Sequence, residues 1–276
     1  MAASINTNVA SMLAMQNLSR TQDQLTTTQA RISTGQKVSS AKDNGAIFAI
    51  AQNMRGSSTA LNAVRESLQR GQSSVDVALA AGETISDLLN QMKEKALAGA
   101  DSQLNTSSRA AMSADFVSLR DQIAKAVSTA NFNGSNLLKS GAGAIAALAD
   151  ETGTSKITVA AQALHLASAN VTITAAASLG LTAASAASQL TAVTFSIEKV
   201  SLALSKLGTG SKSLTTHLSF VNRLQDAIDA GIGNIVDADL AKESAKIQAL
   251  QTKQQLGFQA LSIANQGPSS LLSLFR

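Results

Sequence analysis

Residues 50–96 read IAQNMRGSSTALNAVRESLQRGQSSVDVALAAGETISDLLNQMKEKA, and this stretch decides the fold. Apolar or small residues recur in it at alternating steps of three and four, and we call this row of positions a seam. The positions are Met54, Ser57, Leu61, Val64, Leu68, Gly71, Val75, Ala78, Gly82, Ile85, Leu89, Met92 and Ala96. Such a heptad repeat is typical of helices that pack as a coiled coil. It predicts one long helix whose small seam residues let a partner helix approach closely.

Two further seams follow along the chain. The second begins after Asn105, a residue type that caps helices, and contains Met112, Phe116, Leu119, Ile123, Ala126 and Ala130. The third contains Leu190, Val193, Ile197, Val200, Leu204, Leu207, Ser211, Leu214, Leu218, Val221, Ile228, Ile232 and Ile235. Gly208 and Gly210 lie inside it and each costs about 1 kcal/mol in an isolated helix, so packing must hold this helix. Three seams that each need a partner predict a mainly α fold, a long antiparallel helical bundle or coiled coil.

Both ends of the chain carry thinner apolar stripes on a polar background. The N-terminal stripe consists of Ile5, Met12, Leu18, Leu25 and Ile32. The C-terminal stripe follows Asp239, a plausible helix cap, and consists of Leu240, Ile247, Leu250, Leu256 and Leu261. Stripes this thin do not fold alone, but they can pair with partners. We therefore expect both ends to become ordered upon assembly.

Residues 140–188 have a different pattern. In this segment Ile157 with Val159, and Val171 with Ile173, alternate with other residues in steps of two, which predicts short strands or hairpins. The later part of the segment carries no formal charge, but Ser, Thr, Asn and Gln interrupt it. It therefore lacks the ~20 consecutive apolar residues that a membrane-spanning helix needs. We expect a small, surface-exposed excursion that contains β-structure.

The composition argues against an enzyme. Aromatic residues make up 3% of the 276 residues, Trp, Tyr and Cys are absent, and the two histidines have no second ligand at metal-binding spacing. We find no catalytic, cofactor-binding or metal-binding motif, so no cofactor is expected. The net charge of +4 comes from scattered basic residues, which disfavours nucleic-acid binding. Residues 1–8 lack the basic and apolar segments of a Sec-type signal peptide, so export requires another route.

Several short motifs resemble those of bacterial flagellins. In the first half of the chain they are Ile5-Asn6-Thr7-Asn8, Arg31-Ile32-Ser33-Thr34-Gly35, Ser40-Ala41-Lys42-Asp43-Asn44-Gly45-Ala46 and Asn131-Phe132-Asn133-Gly134. Near the C-terminus they are Asp237-Ala238-Asp239-Leu240-Ala241, Ala264-Asn265-Gln266 and Leu271-Leu272-Ser273-Leu274-Phe275-Arg276. The resemblance covers about residues 1–140 and 190–276. Because the middle is short and cysteine is absent, the pattern is most similar to flagellins of stalked and related alphaproteobacteria.

The resemblance implies a structural subunit that polymerises into the flagellar filament for swimming motility. Residues 1–40 and 236–276 are expected to form an inner coiled coil, residues 41–139 and 189–235 a helical rod, and residues 140–188 a variable outward-facing segment. In the inner domain the resemblance implies that the two terminal stripes pack together: Ile5, Met12, Leu18, Leu25 and Ile32 against Leu240, Ile247, Leu250 and Leu261.

The resemblance also implies partners and a location. The subunit is expected to pass unfolded through the flagellar type III apparatus and to fold outside the cell in the filament. Its partners are identical or closely related subunits, an export chaperone, the filament cap and hook-associated proteins, without membrane or nucleic acid. A hook–filament junction protein, which has similar ends, is the nearest alternative. A chemoreceptor-like signalling coiled coil is a more distant one, and it needs a membrane anchor.

Two surface features follow from the same resemblance. Animal innate receptors for flagellin recognise a rod-helix segment that corresponds here to residues 90–97. Gln91 stands where an arginine is expected, and Lys95 stands where a leucine is expected. Gln91 cannot form the paired hydrogen bonds of a guanidinium group, and Lys95 places a charge in an apolar contact. Both changes predict weak receptor binding. The second feature is a set of hydroxyl residues that either carry O-linked sugars, as in some relatives, or serve only for solvation: Thr172, Thr174, Ser178 and Thr182.

Overall fold

The computed structural model describes the backbone of residues 7–273 and the side chains of residues 7–266. The described residues form five helices and one two-stranded antiparallel sheet. In chain order the elements are α1 (Val9–Thr34), α2 (Gly45–Gly99), α3 (Thr106–Thr129), β1 (Ile145–Leu148), β2 (Lys156–Val159), α4 (Ala183–Val236) and α5 (Leu240–Ser273). The predicted mainly α fold with a small β-containing middle is therefore confirmed.

The chain divides into two compact units. One unit combines the chain up to Gly56 with the chain from Ala227 onward, and the other is Ser57–Asp226. Both α2 and α4 contribute to both units, because each crosses a unit boundary as a continuous helix. The unit that holds α1 and α5 therefore also takes in the first turns of α2 and the last turns of α4.

The second unit is built on α2 and α4, which run antiparallel. Ser211 Oγ on α4 donates to Asp76 Oδ1 on α2 at 3.2 Å. Farther along, Gln225 Nε2 donates to Asn62 Oδ1 at 3.1 Å, so residue numbers rise on one helix as they fall on the other. The seam positions of α2 are buried with at most 2% exposure: Leu61, Val64, Leu68, Val75, Ile85, Leu89 and Met92. On α4, the buried positions are Val200, Leu207 and Leu214, and the half-buried ones are Leu204 and Leu218.

The third helix lies beside the end of α2. Asn105 caps α3 as predicted, because its Oδ1 accepts a hydrogen bond from the Ser108 N–H at 2.8 Å. Lys95 Nζ on α2 lies 2.9 Å from Asp115 Oδ2 on α3, so the two helices form a side-by-side hairpin. The buried side of α3 includes Phe116, Leu119 and Ile123.

The apolar residues in the middle of the chain are part of the core of the second unit. The strand pair β1–β2 contains Ile157 and Val159, as the alternation predicts. Val171 and Ile173 form no strand, yet they are only 0% and 1% exposed. Other apolar residues of this region are equally buried: Leu137, Leu138, Leu164 and Leu179. The middle segment therefore packs as irregular chain around its buried side chains, and its strands are confined to one hairpin.

Glycines in the long helices let the hairpin come close. A Cβ atom at Gly71 would lie 3.3 Å from Ala147 Cβ on β1. A Cβ atom at Gly210 would lie 2.7 Å from Val159 Cγ1 on β2. The predicted approach of a helix at small seam residues is confirmed at Gly82, where a Cβ atom would lie 2.5 Å from Leu204 Cδ2 on α4. At the seam position Gly71 the nearest chain is the hairpin, and Leu214 Cδ1 on α4 lies slightly farther away, at 3.7 Å.

Two neighbouring glycines of α4 are expected to respond in opposite ways to alanine. Gly208→Ala adds a Cβ with no heavy atom within 4 Å, so it gains about 1 kcal/mol of helix propensity. Gly210→Ala adds a Cβ within 3.4 Å of three carbon atoms of Val159, and such overpacking costs about 1–3 kcal/mol. Denaturant unfolding followed by circular dichroism should give a higher midpoint for Gly208→Ala and a lower one for Gly210→Ala. Equal midpoints would contradict the close packing of β2 on α4.

Hydrogen bonds from the long helices also hold the hairpin. The backbone N–H of Leu148 donates to Ser67 Oγ on α2 at 3.1 Å. His217 Nε2 on α4 lies 2.7 Å from the carbonyl oxygen of Ala149, immediately after β1. The hairpin is therefore fixed at its turn by one polar contact from each of the two helices.

A buried arginine joins three segments of the second unit. Arg109 on α3 is 6% exposed. Its guanidinium group donates to the carbonyl oxygens of Gly99 at 2.9 Å, Asp101 at 2.6 Å and Leu181 at 3.2 Å. Gly99 and Asp101 lie at the C-terminal end of α2, where the helix dipole favours a positive charge. Arg109 thus connects α2, α3 and the segment that leads into α4.

Candidate self-association surface

The terminal helices α1 and α5 pair antiparallel within the first unit. Asn8, which caps α1, donates from Nδ2 to the carbonyl oxygen of Ala264 at 2.7 Å. At the other end of α1, Arg31 Nη1 lies 3.2 Å from Glu243 Oε1 in the first turn of α5. Asp239 caps α5 by accepting a hydrogen bond from the backbone of Lys242 at 3.0 Å, as predicted. One helix therefore begins beside the end of the other.

The interface between α1 and α5 has few large side chains. Leu25 and Leu250 are buried there, together with the threonines Thr21 and Thr28. A Cβ atom at Gly257 would lie 3.1 Å from Leu18 Cδ1, so glycine lets the two helices approach. A close, narrow interface of this kind buries little apolar area within one chain.

Most large apolar side chains of the pair remain exposed. On α1 the exposed fractions are 74% for Val9, 65% for Met12, 57% for Leu13 and 59% for Met15. On α5 they are 49% for Leu240, 59% for Leu256, 55% for Phe258 and 69% for Ile263. We call these eight residues the terminal apolar surface. Exposed apolar groups in such number mark surfaces that contact other molecules.

The residues predicted to pack in the inner domain occupy three environments. Leu25 and Leu250 are buried. Half-buried positions are Leu18, Ile32, Ile247 and Leu261. Met12 and Leu240 are exposed and belong to the terminal apolar surface. Ile5 lies outside the described residues.

Three buried polar side-chain atoms of the pair have no hydrogen-bond partner among the described residues. They are Thr28 Oγ1, Arg31 Nε and Glu243 Oε2. Glu243 Oε2 has only the ammonium group of Lys246, at 3.7 Å. An unsatisfied buried polar atom costs about 1–3 kcal/mol, so this cluster weakens the pairing of α1 with α5.

The two connections that leave the helix pair are bonded to each other. Gly35 ends α1 with φ of 69°, a left-handed conformation that glycine adopts without strain. Its carbonyl oxygen accepts a hydrogen bond from the N–H of Ala238 at 2.9 Å. The N–H of Lys37 donates to the carbonyl oxygen of Val236 at 2.6 Å. The chain leaving α1 is therefore held beside the chain entering α5.

The following loop is held by one carboxylate. Asp43 Oδ2 accepts hydrogen bonds from the N–H and hydroxyl groups of Ser39 and Ser40 at 2.9 to 3.1 Å. These bonds, first those from the backbone of Ser40 and then of Ser39, hold the pKa of Asp43 below its ordinary value of 3.8.

This geometry predicts a loop that loosens in acid. Because the folded-state pKa of Asp43 is the lower one, its carboxylate stabilises the loop above pH 3.8. That contribution disappears as the pH falls through the folded-state pKa. We expect the amide protection factors of Ser39 and Ser40 to fall in acid, and Asp43→Asn to lower them already at neutral pH. If Asp43→Asn has the protection of the unmodified chain at neutral pH, the carboxylate does not hold the loop.

The two positions of the receptor-related segment differ in their contacts. Gln91 is exposed on α2. Lys95 is half-buried, and its hydrogen bond to Asp115 raises the pKa of the ammonium group. A neighbouring helix of the same chain thus already binds the charge that replaces the expected leucine.

The four hydroxyl residues of the middle segment are not equivalent. Thr172 Oγ1 bonds to Ala192 O and Ser196 Oγ, and Thr182 Oγ1 bonds to Ser185 at the start of α4. Thr174 and Ser178 are exposed, and their hydroxyls bond to no described residue. These two are the better candidates for O-linked sugars, which peptide mass spectrometry tests.

The described residues show neither a metal-binding cluster nor a membrane-spanning helix. They contain no group of three or more His, Asp or Glu side chains arranged to hold a metal ion. Among their helices, none combines the length and the apolar character that crossing a membrane requires.

Long helices and a terminal pair that exposes apolar side chains define a helical subunit suited to assembly. Comparisons with known proteins identify the family. The model of the bacterial flagellin N-terminal helical region matches residues 5–143, and that of the C-terminal helical region matches residues 190–275. The chain belongs to the bacterial flagellin family, and it is a structural subunit of the flagellar filament.

Two flagellins of one alphaproteobacterium match nearly the whole chain, and one solved structure matches part of it. Flagellin FljK of Caulobacter vibrioides is 55% identical over 273 residues, which cover 99% of this chain and 98% of the relative. Flagellin FljM of the same organism is 54% identical with the same coverage. The crystal structure of Bacillus cereus flagellin matches with a TM-score of 0.49 and 23% identity, covering 56% of this chain and 88% of that chain.

Proposed function

We propose that the terminal apolar surface is the element through which copies of this chain polymerise. The observation that carries the proposal is the exposure of eight large apolar side chains on α1 and α5. Burial of one such side chain contributes about 1.5–3 kcal/mol, so association with identical helix pairs supplies a driving force that a single chain lacks.

The proposal includes the arrangement of the filament. Residues 1–40 and 236–276 form the inner coiled coil, residues 41–139 and 189–235 surround it, and residues 140–188 face outward. The subunit is exported and assembles outside the cell beneath a cap protein, with a chaperone before export and hook-associated proteins at the filament base. It acts as structural material and catalyses no reaction.

Seeded polymerisation tests the proposal. Purified monomer is mixed with short filament fragments, and light scattering, circular dichroism and electron microscopy follow the product. We expect long filaments together with a rise in helix content, because burial of the terminal apolar surface stabilises α1 and α5 on assembly. Removal of residues 1–30, which contain most of α1, should abolish growth without unfolding the second unit. Growth of the truncated chain at the normal rate would refute the role of α1.

We also propose that animal innate receptors for flagellin respond weakly to this chain. Gln91 offers no guanidinium group, and the Lys95 ammonium group is bound to Asp115. A cell reporter should respond more strongly to the Gln91→Arg, Lys95→Leu double variant than to the unmodified chain. Equal responses would show that these two positions do not limit recognition.

A further inference from the structure

A cleft of about 620 Å³ follows one side of the α1–α5 pair. Its apolar part consists of Leu18, Leu256, Gly257 and Ala260. Its remaining lining is polar, and it includes two basic side chains, Arg20 and Lys253, and no acidic one. The cleft therefore combines an apolar floor with a positively charged rim.

The charges of the helix pair are unbalanced. The basic residues of α1 and α5 are Arg20, Arg31, Lys242, Lys246 and Lys253, whereas the acidic residues are only Asp23 and Glu243. Glu243 already contacts Arg31 at 3.2 Å and Lys246 at 3.7 Å. Arg20, Lys253 and Asp23 are exposed, and none of them forms an ion pair with another described residue. The rim cations thus have no ion-pair partner among the residues that the structure describes.

Asp23 points away from the helix that α1 packs against. It lies two residues from the buried Thr21 and two from the buried Leu25. A step of two residues rotates by about 200° around an α-helix, so the Asp23 carboxylate lies on the opposite side of α1 from α5. The side chains one turn away on that face, Ser19 and Thr27, are small and do not obstruct an approaching molecule.

We infer that the cationic cleft of one copy receives α1 of a second copy, with Asp23 of that copy between Arg20 and Lys253. The inference rests on the proposed function, in which identical chains assemble through their terminal helices. Asp23 is the one acidic residue of α1, and its face is free, so the second copy supplies the charge that the cleft lacks. The neighbouring chain covers the contact between Asp23 and the two basic side chains and removes water from it. This charge contact then selects one register between subunits.

Charge reversal and its compensation test the contact. Asp23→Arg and Lys253→Glu each place like charges together, so each should raise the critical monomer concentration for seeded growth about tenfold or more. The double variant Asp23→Arg, Lys253→Glu restores one pair of opposite charges, with Arg20 unchanged, and should bring the critical concentration well below that of either single variant. Lys242→Glu is the matched control, because it makes the same charge change on α5 at an exposed position outside the cleft lining.

Each outcome decides a different claim. Restoration in the double variant, with an unaffected control, supports the contact. A double variant that grows as poorly as the worse single variant, or single variants that grow normally, overturns the contact while leaving polymerisation intact. If the unmodified chain does not grow on seeds, the proposed function and the contact both fail.

A crosslinking experiment measures proximity directly. The chain contains no cysteine, so each introduced thiol is unique. Filaments grown from mixed Asp23→Cys and Lys253→Cys monomers should give crosslinked dimers with a short bismaleimide. Filaments from Asp23→Cys and Lys242→Cys monomers should give far fewer. Equal yields from the two mixtures would overturn the assigned register.

Discussion

A chain in which Met12, Leu256, Phe258 and Ile263 are all replaced by glutamine will stay monomeric at concentrations at which the unmodified chain forms filaments. These side chains are 55 to 69% exposed in the single chain, so their replacement removes little intramolecular packing. Glutamine has nearly the helix propensity of leucine and methionine. If each site contributes about 1.5 kcal/mol on assembly, the critical concentration rises by about four orders of magnitude.

The control for this variant is Leu181→Gln. Leu181 is 61% exposed but lies outside both terminal helices, in the segment before α4. Its replacement should leave the critical concentration within a factor of a few of the unmodified value. Light scattering over a dilution series gives these concentrations, and circular dichroism verifies that each monomer is folded. A quadruple variant that polymerises normally would show that the terminal apolar surface makes no essential contact.

The second large effect is expected from Arg109→Met, a loss of about 3 kcal/mol or more in the free energy of unfolding. Methionine fills much of the same volume but donates no hydrogen bond. The carbonyl groups of Gly99, Asp101 and Leu181 would lose charge-assisted hydrogen bonds, each of which contributes about 1.5–3 kcal/mol. Denaturant unfolding of the monomer measures the change.

Arg70→Met provides the matched comparison for Arg109→Met. The Arg70 side chain is 58% exposed, and its ion pair with Glu66 is long at 3.8 Å. Removal of an exposed arginine of this kind should change stability by no more than about 0.5 kcal/mol. Similarly small losses in the two variants would mean that the hydrogen bonds from Arg109 to the three carbonyl groups contribute little to stability.

The long helices could be predicted because their burial is periodic. A residue such as Leu68 or Ile85 faces the core simply because of its place in a heptad, and the structure buries both completely. The same reasoning fails for Val171 and Ile173, whose alternation predicts a strand. They are buried by irregular chain, which has no periodic pattern for a sequence to display.

Contacts between distant segments were not accessible from the sequence. From its sequence neighbours Gly210 is an ordinary glycine within a helix. Its proximity to Val159 depends on how the hairpin packs on α4, which the sequence does not show. Arg109 resembles any helical arginine until the carbonyl groups around it are known. In the terminal helices the thin apolar stripe could be predicted from the sequence. The burial of Thr21 and Thr28 could not, because a polar residue such as threonine on a helix is expected at the surface.

The antiparallel pairing of α1 with α5 makes completeness a condition of assembly. All the other described elements of the chain lie between α1 and α5 in sequence. A chain that stops early, or loses its end to a protease, has α1 without the helix that covers Leu25 and bonds Asn8 and Arg31. Such a fragment lacks half of the surface that a growing polymer would recognise. If polymerisation uses the terminal apolar surface as proposed, only chains that carry both terminal helices should assemble.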